Sequence, residues 1–450
     1  MKYMTLTKIY YTMPALYEEI YEARYHAPFT FQFGISIRQY HRKNAYPAFF
    51  YYTREYALET EKIYSAYERF LYLVNSVPPV ILHQFTLLSI LDEVKATNDI
   101  EGVHSTRKEI QDILDGNVSK SERLESIVHK YESLMDHAEI PFYTCKDIRR
   151  FYDDFAHEEI KKENPEHALD GVIFRKDPVD IESETGKIIH RGLSPEAKVI
   201  EAMDAALKIL HSQDFPLFVR LGLFHYFFAY IHPFYDGNGR TDRFITSYFL
   251  KKNFHFLLGL RLSVYIKRNR KAYYKLFEEA DSEINRGDLT PFVHGFLKVL
   301  LGTIEDTIGV LKRKKDQLQR YEKKIDALGF HDKLMDEMYY ILLQAAFFYG
   351  RGVTITELAD MVGKARNTIQ KRLVSMFDFA LFIFMQCAES SDANSDLFKE
   401  GYDEAPYENT YEIDRCNLIR VSLNQVQFFK GVTLMVMGCR AKGLFNRFSG

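Results

Sequence analysis

The sequence predicts a mainly α-helical fold that carries one small β-hairpin, followed by a C-terminal winged helix-turn-helix domain of the α+β type. The stretch 217–231 is apolar nearly all round, which is typical of a helix buried on every side. Two short β-rich runs within 171–190 flank turn-forming residues and predict the hairpin. Near the C-terminus, 356–373 reads as two short helices that meet at Gly363, the pattern of a helix-turn-helix.

Composition limits the classes of protein to which this chain can belong. Its 450 residues and 46% hydrophobic content suffice for two or three globular domains. A formal net charge of −3 gives no overall attraction to nucleic acid or membrane. No apolar run has the length of a membrane span, and no secretory signal is apparent. We expect a cytoplasmic protein, because the cysteines lack the C-x-x-C spacing of zinc sites and disulfide frameworks: Cys145, Cys387, Cys416 and Cys439.

The helix at 217–231 is predicted to end at a histidine. Asp214 and Pro216 are start signals for this helix. Pro233 disfavours helical geometry at the residue before it, His232. The helix should therefore stop at His232 and present the imidazole at its end.

A glycine-containing turn, Asp236–Gly239, follows the histidine and leads into a second helix from Arg240 to about Lys252. Glycines let backbone N–H groups approach a ligand closely, and the N-terminus of a helix attracts anions. Arg240 and Arg243 share one face of the second helix. The sequence therefore predicts a phosphate cradle between two helices, with His232 beside it.

The residue types in this loop suit phosphoryl chemistry. His232 has the ordinary pKa that suits a general base near neutral pH. Asp236 is a hard oxygen ligand of the kind that Mg²⁺ accepts when it bridges phosphates. Asn238, the glycine amides and Arg240 would stabilise charge at the phosphorus centre. On the residues alone, the alternative is that His232 caps a helix and Asp236 closes a turn.

The stretch from His232 to Arg243 resembles the signature of the Fic family, H-x-F-x-[D/E]-G-N-G-R-x-x-R, at every specified position. Fic proteins are mostly helical enzymes that transfer AMP from ATP to a Ser, Thr or Tyr hydroxyl of a target protein. The resemblance implies a Fic-type core in which His232 deprotonates that hydroxyl, Asp236 holds Mg²⁺ and Arg243 meets the γ-phosphate. It also implies a set of residues that grip the phosphates: Gly237, Asn238, Gly239 and Arg240.

Gly239 bears on the type of group transferred. The Doc-like branch, which phosphorylates its targets, carries lysine at the position of Gly239. The resemblance therefore favours nucleotidyl transfer over phosphorylation. Phosphocholine transfer, also known in the family, stays open, as do the target protein and the modified residue.

A second motif upstream resembles the inhibitory helix of the Fic family, [S/T]-x-x-x-E-[G/N]. Thr97 and Glu101 lie four residues apart at the end of a predicted helix, so they share a face, and Gly102 is a natural stop. The resemblance implies that Glu101 pairs with Arg243 and blocks a productive ATP γ-phosphate. A carboxylate and a phosphate oxygen compete for the same guanidinium donors. The alternative is a plain exposed helix end. Whether Glu101 also assists removal of AMP stays open.

The predicted hairpin at 171–190 has strands at Gly171–Arg175 and Lys187–His190. In Fic enzymes such a flap covers the active site and receives the target by strand addition, a mode of binding held by backbone hydrogen bonds. The resemblance implies that unknown target proteins dock here, with self-modification and a homodimer left open. The alternative is an incidental surface hairpin.

The C-terminal helix-turn-helix raises a different function, DNA binding. Its predicted core is Leu358, Ala359, Val362, Ile369 and Leu373. The β-rich runs at 380–385 and 411–421 would form a wing. DNA binding is not favoured, because 389–414 holds nine acidic residues against one basic residue, and phosphate contacts dominate affinity for DNA.

The sequence thus predicts an autoinhibited protein adenylyltransferase that uses ATP and Mg²⁺. The alternative is a DNA-binding transcriptional regulator whose Fic domain senses nucleotide. The predicted division of the chain is an N-terminal region (1–75), a Fic catalytic core (76–308) with inhibitory helix (80–102) and flap (171–190), a connecting helix (309–329) and a winged-helix-like domain (330–450).

Overall fold

A computed structural model of the chain describes residues 3–116, 122–135, 139–157, 160, 167–182, 186–328, 332–348, 353–373 and 418–419. The chain divides into two compact units, the first made of Met1–Pro78 with Phe85–Leu311, the second of Pro79–Gln84 with Lys312–Gly450. Most described residues are helical, so the predicted mainly α-helical fold is confirmed. Within these ranges, no helix combines the length and the apolar character that a membrane crossing requires.

The described elements before the flap are mostly helices, with one β-hairpin among them. In chain order they are α1 (Leu6–Thr12), α2 (Tyr17–Tyr25), β1 (Thr30–Ile37), β2 (Tyr46–Tyr51), α3 (Arg54–Asn75), α4 (Pro79–Ile100), α5 (Arg107–Leu114), α6 (Glu122–Glu132) and α7 (Cys145–Tyr152). A 3-10 turn at Pro14–Leu16 precedes α2, and a π-turn at Asp153–His157 follows α7. Strands β1 and β2 pair antiparallel, with Ile37 opposite Tyr46, so a loop of residues 38–45 joins them.

The flap and the central helices follow. They are β3 (Asp180–Glu182), β4 (Ile188–Arg191), α8 (Glu196–His211), α9 (Leu217–Ile231), α10 (Asn238–Asn253), α11 (Phe256–Gly259), α12 (Leu262–Arg268), α13 (Arg270–Asp281) and α14 (Thr290–Leu328). A 3-10 turn at Glu283–Asn285 follows α13. Helix α9 packs against both α8 and α10 and is buried along nearly its whole length, as its apolar sequence predicts.

The first strand of the flap was predicted at the wrong place. Strands β3 and β4 do form an antiparallel hairpin, but Gly171–Arg175 is not a strand. The backbone N–H groups of Val172, Ile173 and Phe174 donate to the carboxylate of Glu196 at 2.7–3.0 Å. Because this carboxylate takes up their donors, the segment wraps around the start of α8 instead of pairing with a strand.

The predicted helix that ends in Thr97 and Glu101 is present as α4. It runs to Ile100, Glu101 caps it, and Gly102 follows with a φ of 73°. This left-handed conformation favours glycine and ends the helix.

The second unit contains α15 (Lys333–Phe348), β5 (Val353–Thr354), α16 (Ile355–Met361) and a helical stretch at 366–373. Gly363 turns the chain between the last two helices with a φ of 63°. All five predicted core residues of the helix-turn-helix are buried and cluster with Met335 and Met338. Leu418–Ile419 (β6) pairs with β5. The rest of the predicted wing, including 380–385, lies outside the described residues, so the winged helix stays a prediction.

Candidate active site

Helix α9 ends at His232 because the backbone leaves the right-handed region there. His232 has φ 53° and ψ 65°, a left-handed conformation that non-glycine residues seldom adopt. Its N–H donates to the carbonyl of Phe228 at 2.9 Å, which closes the last turn. Pro233 follows and cannot continue the helix. The local sequence thus sets the imidazole at the end of a rigid, buried helix.

Arg175 holds the backbone of this helix end. Its guanidinium is fully buried and donates to the carbonyls of His232 at 2.8 Å and Ile231 at 3.3 Å. A cation at this end of a helix is favoured by the helix dipole. Gly192, just after β4, lies against the same group: a Cβ there would lie 2.9 Å from the His232 Cβ and overlap the Arg175 guanidinium. The flap exit, Arg175 and His232 therefore form one closely packed unit.

The imidazole of His232 is uncharged at neutral pH. Burial lowers its pKa to about 3, and the positive charges of His190 and Arg175 act in the same direction. Its Nδ1 faces the carbonyl of Ala229 at 3.4 Å, which favours the proton on Nδ1 and leaves Nε2 as the acceptor. A neutral imidazole with a free Nε2 is the form that accepts a proton from a hydroxyl.

The loop after His232 is held in one conformation by Asn238. Its side chain accepts from the N–H of Phe234 at 2.9 Å and donates to the carbonyl of the same residue at 2.7 Å. Phe234 is fully buried and stacks on Tyr152 with ring centroids 3.6 Å apart. The Tyr152 hydroxyl donates to the carbonyl of Asp236 at 3.1 Å. The Asn238 side chain thus shapes the loop, which the sequence pattern alone did not show.

Arg240 has the character of an incomplete anion site. It is fully buried, and among the residues that the structure describes its Nε and Nη1 meet no hydrogen-bond acceptor, while Nη2 lies 3.5 Å from Asp236 Oδ1. Buried polar groups in proteins are nearly always satisfied. The N-terminal turn of α10, which begins at Asn238, adds backbone N–H groups that have no acceptor within the helix. A phosphate oxygen would satisfy both sets of donors.

Asp236 is the residue of this loop that suits a metal. Its carboxylate is 38% exposed and accepts from the N–H of Gly237. Across the described ranges, no three His, Cys, Asp or Glu side chains group so as to hold a metal ion. Mg²⁺ commonly binds through one or two carboxylates, with substrate phosphates and water completing the shell. Asp236 fits that pattern, in which the nucleotide supplies most of the ligands.

Arg243, one helical turn after Arg240, is fully engaged by α4. Its Nη1 donates to Glu101 Oε1 at 2.8 Å, its Nε to Thr97 Oγ1 at 3.0 Å and its Nη2 to the Thr97 carbonyl at 3.1 Å. Arg243 is 2% exposed. Burial acts to lower the pKa of Arg243, but the Glu101 carboxylate outweighs it and raises the pKa. The two residues that the sequence placed together are therefore in contact.

Gly239 makes room for Glu101. A Cβ at Gly239 would overlap Glu101 Oε1 and lie 2.9 Å from Arg243 Nη1. Gly239 has a helical backbone and no positive φ, so its lack of a side chain serves this close approach. The carboxylate of Glu101 lies directly over the N-terminal turn of α10. This turn and the buried donors of Arg240 together are called the anion cradle.

Sequence reasoning missed the buried polar contacts that dock α4. Glu93 is fully buried and accepts from the N–H groups of Ser263 at 2.8 Å and Val264 at 3.2 Å, at the start of α12. Burial raises the pKa of Glu93 to about 7. Asp92 pairs with Arg261 at 3.1 Å. The sequence does contain a sign of these contacts, because Asp92 and Glu93 are two adjacent acidic residues in an otherwise apolar stretch.

A second missed contact ties the flap to the core. His190 on β4 donates from Nε2 to the carbonyl of Tyr230 at 2.7 Å and lies 3.1 Å from Asp281 through Nδ1. Burial acts to lower the pKa of His190, but the Asp281 carboxylate and the Tyr230 carbonyl raise it overall. The contacts of His190 with Tyr230 and Asp281 therefore pin β4 beside His232.

A comparison with known families matches residues 142–250 to the Fic/DOC family. The matched region contains α7, the flap and the loop from His232 to Arg243.

Curated proteins similar to the chain carry the name protein adenylyltransferase Fic. Those of Drosophila sechellia, Drosophila simulans and Drosophila melanogaster are each 30% identical over 125 residues. The aligned part is 28% of this chain and 23% of each relative, so the chain spans less than a quarter of their length.

Two solved structures are also similar. A Fic family protein from Desulfovibrio desulfuricans G20 aligns with a TM-score of 0.47 and 20% identity, over 71% of this chain and 88% of that one. A fragment of Fic-1 from C. elegans aligns with a TM-score of 0.38 and 21% identity, over 57% of this chain and 74% of the fragment.

Proposed function

We propose that the chain, whose residues 142–250 match the Fic/DOC family, is a protein adenylyltransferase that Glu101 holds in an inhibited state. The activity transfers AMP from ATP to a Ser, Thr or Tyr hydroxyl of a target protein. The observation that carries the proposal is the contact of Glu101 with Arg243 directly over the anion cradle.

In the proposed reaction, the hydroxyl oxygen of the target attacks the α-phosphorus of ATP. The neutral imidazole of His232 takes the hydroxyl proton at Nε2, and the bond from the α-phosphorus to the bridging oxygen breaks. The products are an AMP ester of the target and pyrophosphate. Mg²⁺, held by Asp236 and the phosphates, would neutralise charge on the leaving group.

The buried donors of Arg240 and the first N–H groups of α10 support phosphate binding at this place. These donors need not move when the nucleotide binds, because the Asn238 side chain and the Tyr152–Phe234 stack already hold the loop.

Inhibition follows from competition for one guanidinium. Glu101 and Thr97 accept from all three nitrogens of Arg243, so a γ-phosphate oxygen that approaches this side chain competes with the Glu101 carboxylate for Nη1. The Glu101 carboxylate also repels the phosphate charge. ATP bound beside an intact Glu101 would then sit in an unreactive position.

The flap is the proposed docking place for the target, by strand addition along the β3–β4 hairpin. Its exit at Gly192 packs on His232, so a strand bound there would lie beside the base. The chain itself and a second copy of it are candidate targets.

The experiment that tests the proposal uses the full-length Glu101→Gly protein with Mg²⁺ and ATP labelled at either the α- or the γ-phosphate. We expect label on protein from the α-position only. Label from the γ-position would contradict AMP transfer and indicate phosphorylation. Label from neither, together with salt-dependent binding of duplex DNA, would indicate the transcriptional regulator instead.

A further inference from the structure

The loop between β1 and β2, residues 38–45, lies against the flap, although the two are far apart in sequence. Arg191 at the end of β4 donates to the hydroxyl of Tyr40 at 3.4 Å, and its guanidinium lies 5.3 Å from the centre of the Tyr40 ring. Arg191 is fixed from the other side by Asp180 on β3, at 2.6 Å. Gly192, the next residue, packs on His232. The loop therefore contacts the flap at Arg191, next to the residue that packs on His232, the proposed general base.

Two hydrogen bonds that use none of the loop's charged side-chain groups help to hold it in place. The backbone N–H of Arg38 donates to the Tyr230 hydroxyl at 2.9 Å, and the Gln39 side chain accepts from the N–H of Glu283 at 2.9 Å. His41 has a φ of 62°, and its ring lies 3.7 Å from that of Tyr40. Non-glycine residues keep such a conformation only when their surroundings impose it. The loop is a preorganised surface.

The exposed side chains of this surface are basic. Arg38, His41, Arg42 and Lys43 are all exposed. Arg42 lies 3.6 Å from Glu283. In the part of the chain that the structure describes, Arg38 and Lys43 take part in no ion pair. With Arg191 counted, four permanent positive charges face two negative ones, Asp180 and Glu283, which leaves a surplus of two.

We propose that the loop 38–45 and Arg191 form a docking surface for an acidic segment of the target protein. This inference rests on the proposed function, since it takes the occupant of the flap to be a target polypeptide. Gly192 packs on His232 and its neighbour Arg191 contacts Tyr40, so a strand that runs along the flap from His232 would pass close to the loop. Acidic residues near the modified hydroxyl in the target sequence would then meet Arg38 and Lys43. The N-terminal region (1–75), which contains the loop, thereby supplies sequence preference, which strand addition alone does not.

The test measures binding of three dye-labelled 15-residue peptides by fluorescence anisotropy. Each has a central Tyr and is flanked by Glu, Gln or Lys residues. The protein is the full chain carrying Glu101→Gly and His232→Ala, so that no peptide is consumed. We expect the Glu peptide to bind roughly tenfold more tightly than the Lys peptide at low salt, with the preference shrinking as salt is added.

Charge reversal identifies the surface. Arg38→Glu with Lys43→Glu should remove or invert the preference. Lys8→Glu with Lys208→Glu, two exposed residues elsewhere with the same change in net charge, should keep it. Equal binding of the three peptides, or equal loss in the control pair, would overturn the proposal. So would tighter binding of a single-stranded oligonucleotide that depends on Arg38 and Lys43.

The same peptides separate this proposal from the proposed function. Incubated with the Glu101→Gly protein and α-labelled ATP, they report AMP transfer independently of binding. A charge preference without label keeps the docking surface and removes the transferase. Label without a charge preference keeps the transferase and removes the docking surface.

Discussion

Gly239→Ala should have opposite effects on stability depending on whether Glu101 is present. A methyl group at Gly239 would overlap Glu101 Oε1 and lie 2.9 Å from Arg243 Nη1, well inside a normal contact of about 3.5 Å. Arg243 is held by three hydrogen bonds and cannot move easily, so Glu101 must swing away. The protein then loses a charge-assisted hydrogen bond, about 1.5–3 kcal/mol.

An opposing gain accompanies that loss. Gly239 lies in the first turn of α10 with a helical backbone, where Ala lowers the entropy of the unfolded chain and stabilises by about 0.4–1 kcal/mol. In the wild type, Gly239→Ala should therefore lower the free energy of unfolding by about 1–2 kcal/mol. In a Glu101→Gly background, Arg243 Nη1 has lost its acceptor and can shift away from the new methyl group, so the same change should be neutral or raise the free energy of unfolding by about 0.4–1 kcal/mol.

The assay is urea unfolding followed by circular dichroism on four proteins: wild type, each single variant and the double variant. The four free energies of unfolding form a double-mutant cycle. The second compact unit is the same in all four proteins, so its contribution to these free energies cancels. A coupling energy of about 1.5–3 kcal/mol is expected. If Gly239→Ala costs the same in both backgrounds, Glu101 does not occupy the space over α10, and the reasoning on inhibition fails with it.

Three further predictions concern residues that support the site. His190→Gln should loosen the flap, and because the folded-state pKa of His190 is raised, its stabilisation is complete below about pH 6.5 and lost as pH rises through that folded pKa. The protection factors of the 186–191 amides, which are their exchange rates relative to the intrinsic rate at each pH, should therefore fall with pH in the wild type but change little in the variant. Burial raises the pKa of Glu93 from 4.5 to about 7. The contribution of Glu93 to the free energy of unfolding is therefore most favourable below pH 4.5 and declines by about 3 kcal/mol as pH rises through 7. A paired surface carboxylate, whose pKa is lowered, shows the opposite dependence. Glu93→Gln should remove that decline, and parallel curves for the two proteins would contradict the assignment. Asn238→Ala should lower the free energy of unfolding by about 1–3 kcal/mol without nucleotide, because the N–H and carbonyl of Phe234 lose their partners; an unchanged unfolding midpoint would mean that the side chain serves only the ligand.

Local patterns predicted the helices of the site well. The Pro216 start, the His232–Pro233 end and the i, i+4 spacing of Thr97 and Glu101 each depend on neighbours in sequence, and α9 and α4 follow them. The contact of Glu101 with Arg243 came from resemblance to a family, since no local pattern joins residues so far apart.

Long-range contacts explain what the sequence did not predict. Arg175 was assigned to a strand because its neighbours are β-formers, but its guanidinium caps α9 and the preceding N–H groups bind Glu196. The sequence also did not predict that the Asn238 side chain closes the loop on Phe234, four residues earlier, and the role of Asn238 in phosphate binding stays a prediction. The partners of Arg175 and Glu196, in contrast, lie far away in sequence and only the folded chain brings them near.

The measurement that tests the account most directly is the rate of α-phosphate label transfer by Glu101→Gly, compared with the wild type and with Glu101→Gly carrying His232→Ala. All three should bind ATP, as measured by calorimetry, because Arg240 and the α10 amides are intact. We expect a large rise in transfer for Glu101→Gly and its loss when His232 is also replaced. Equal transfer by the wild type and Glu101→Gly, with ATP bound normally in both, would show that the carboxylate over Arg243 does not restrain this protein.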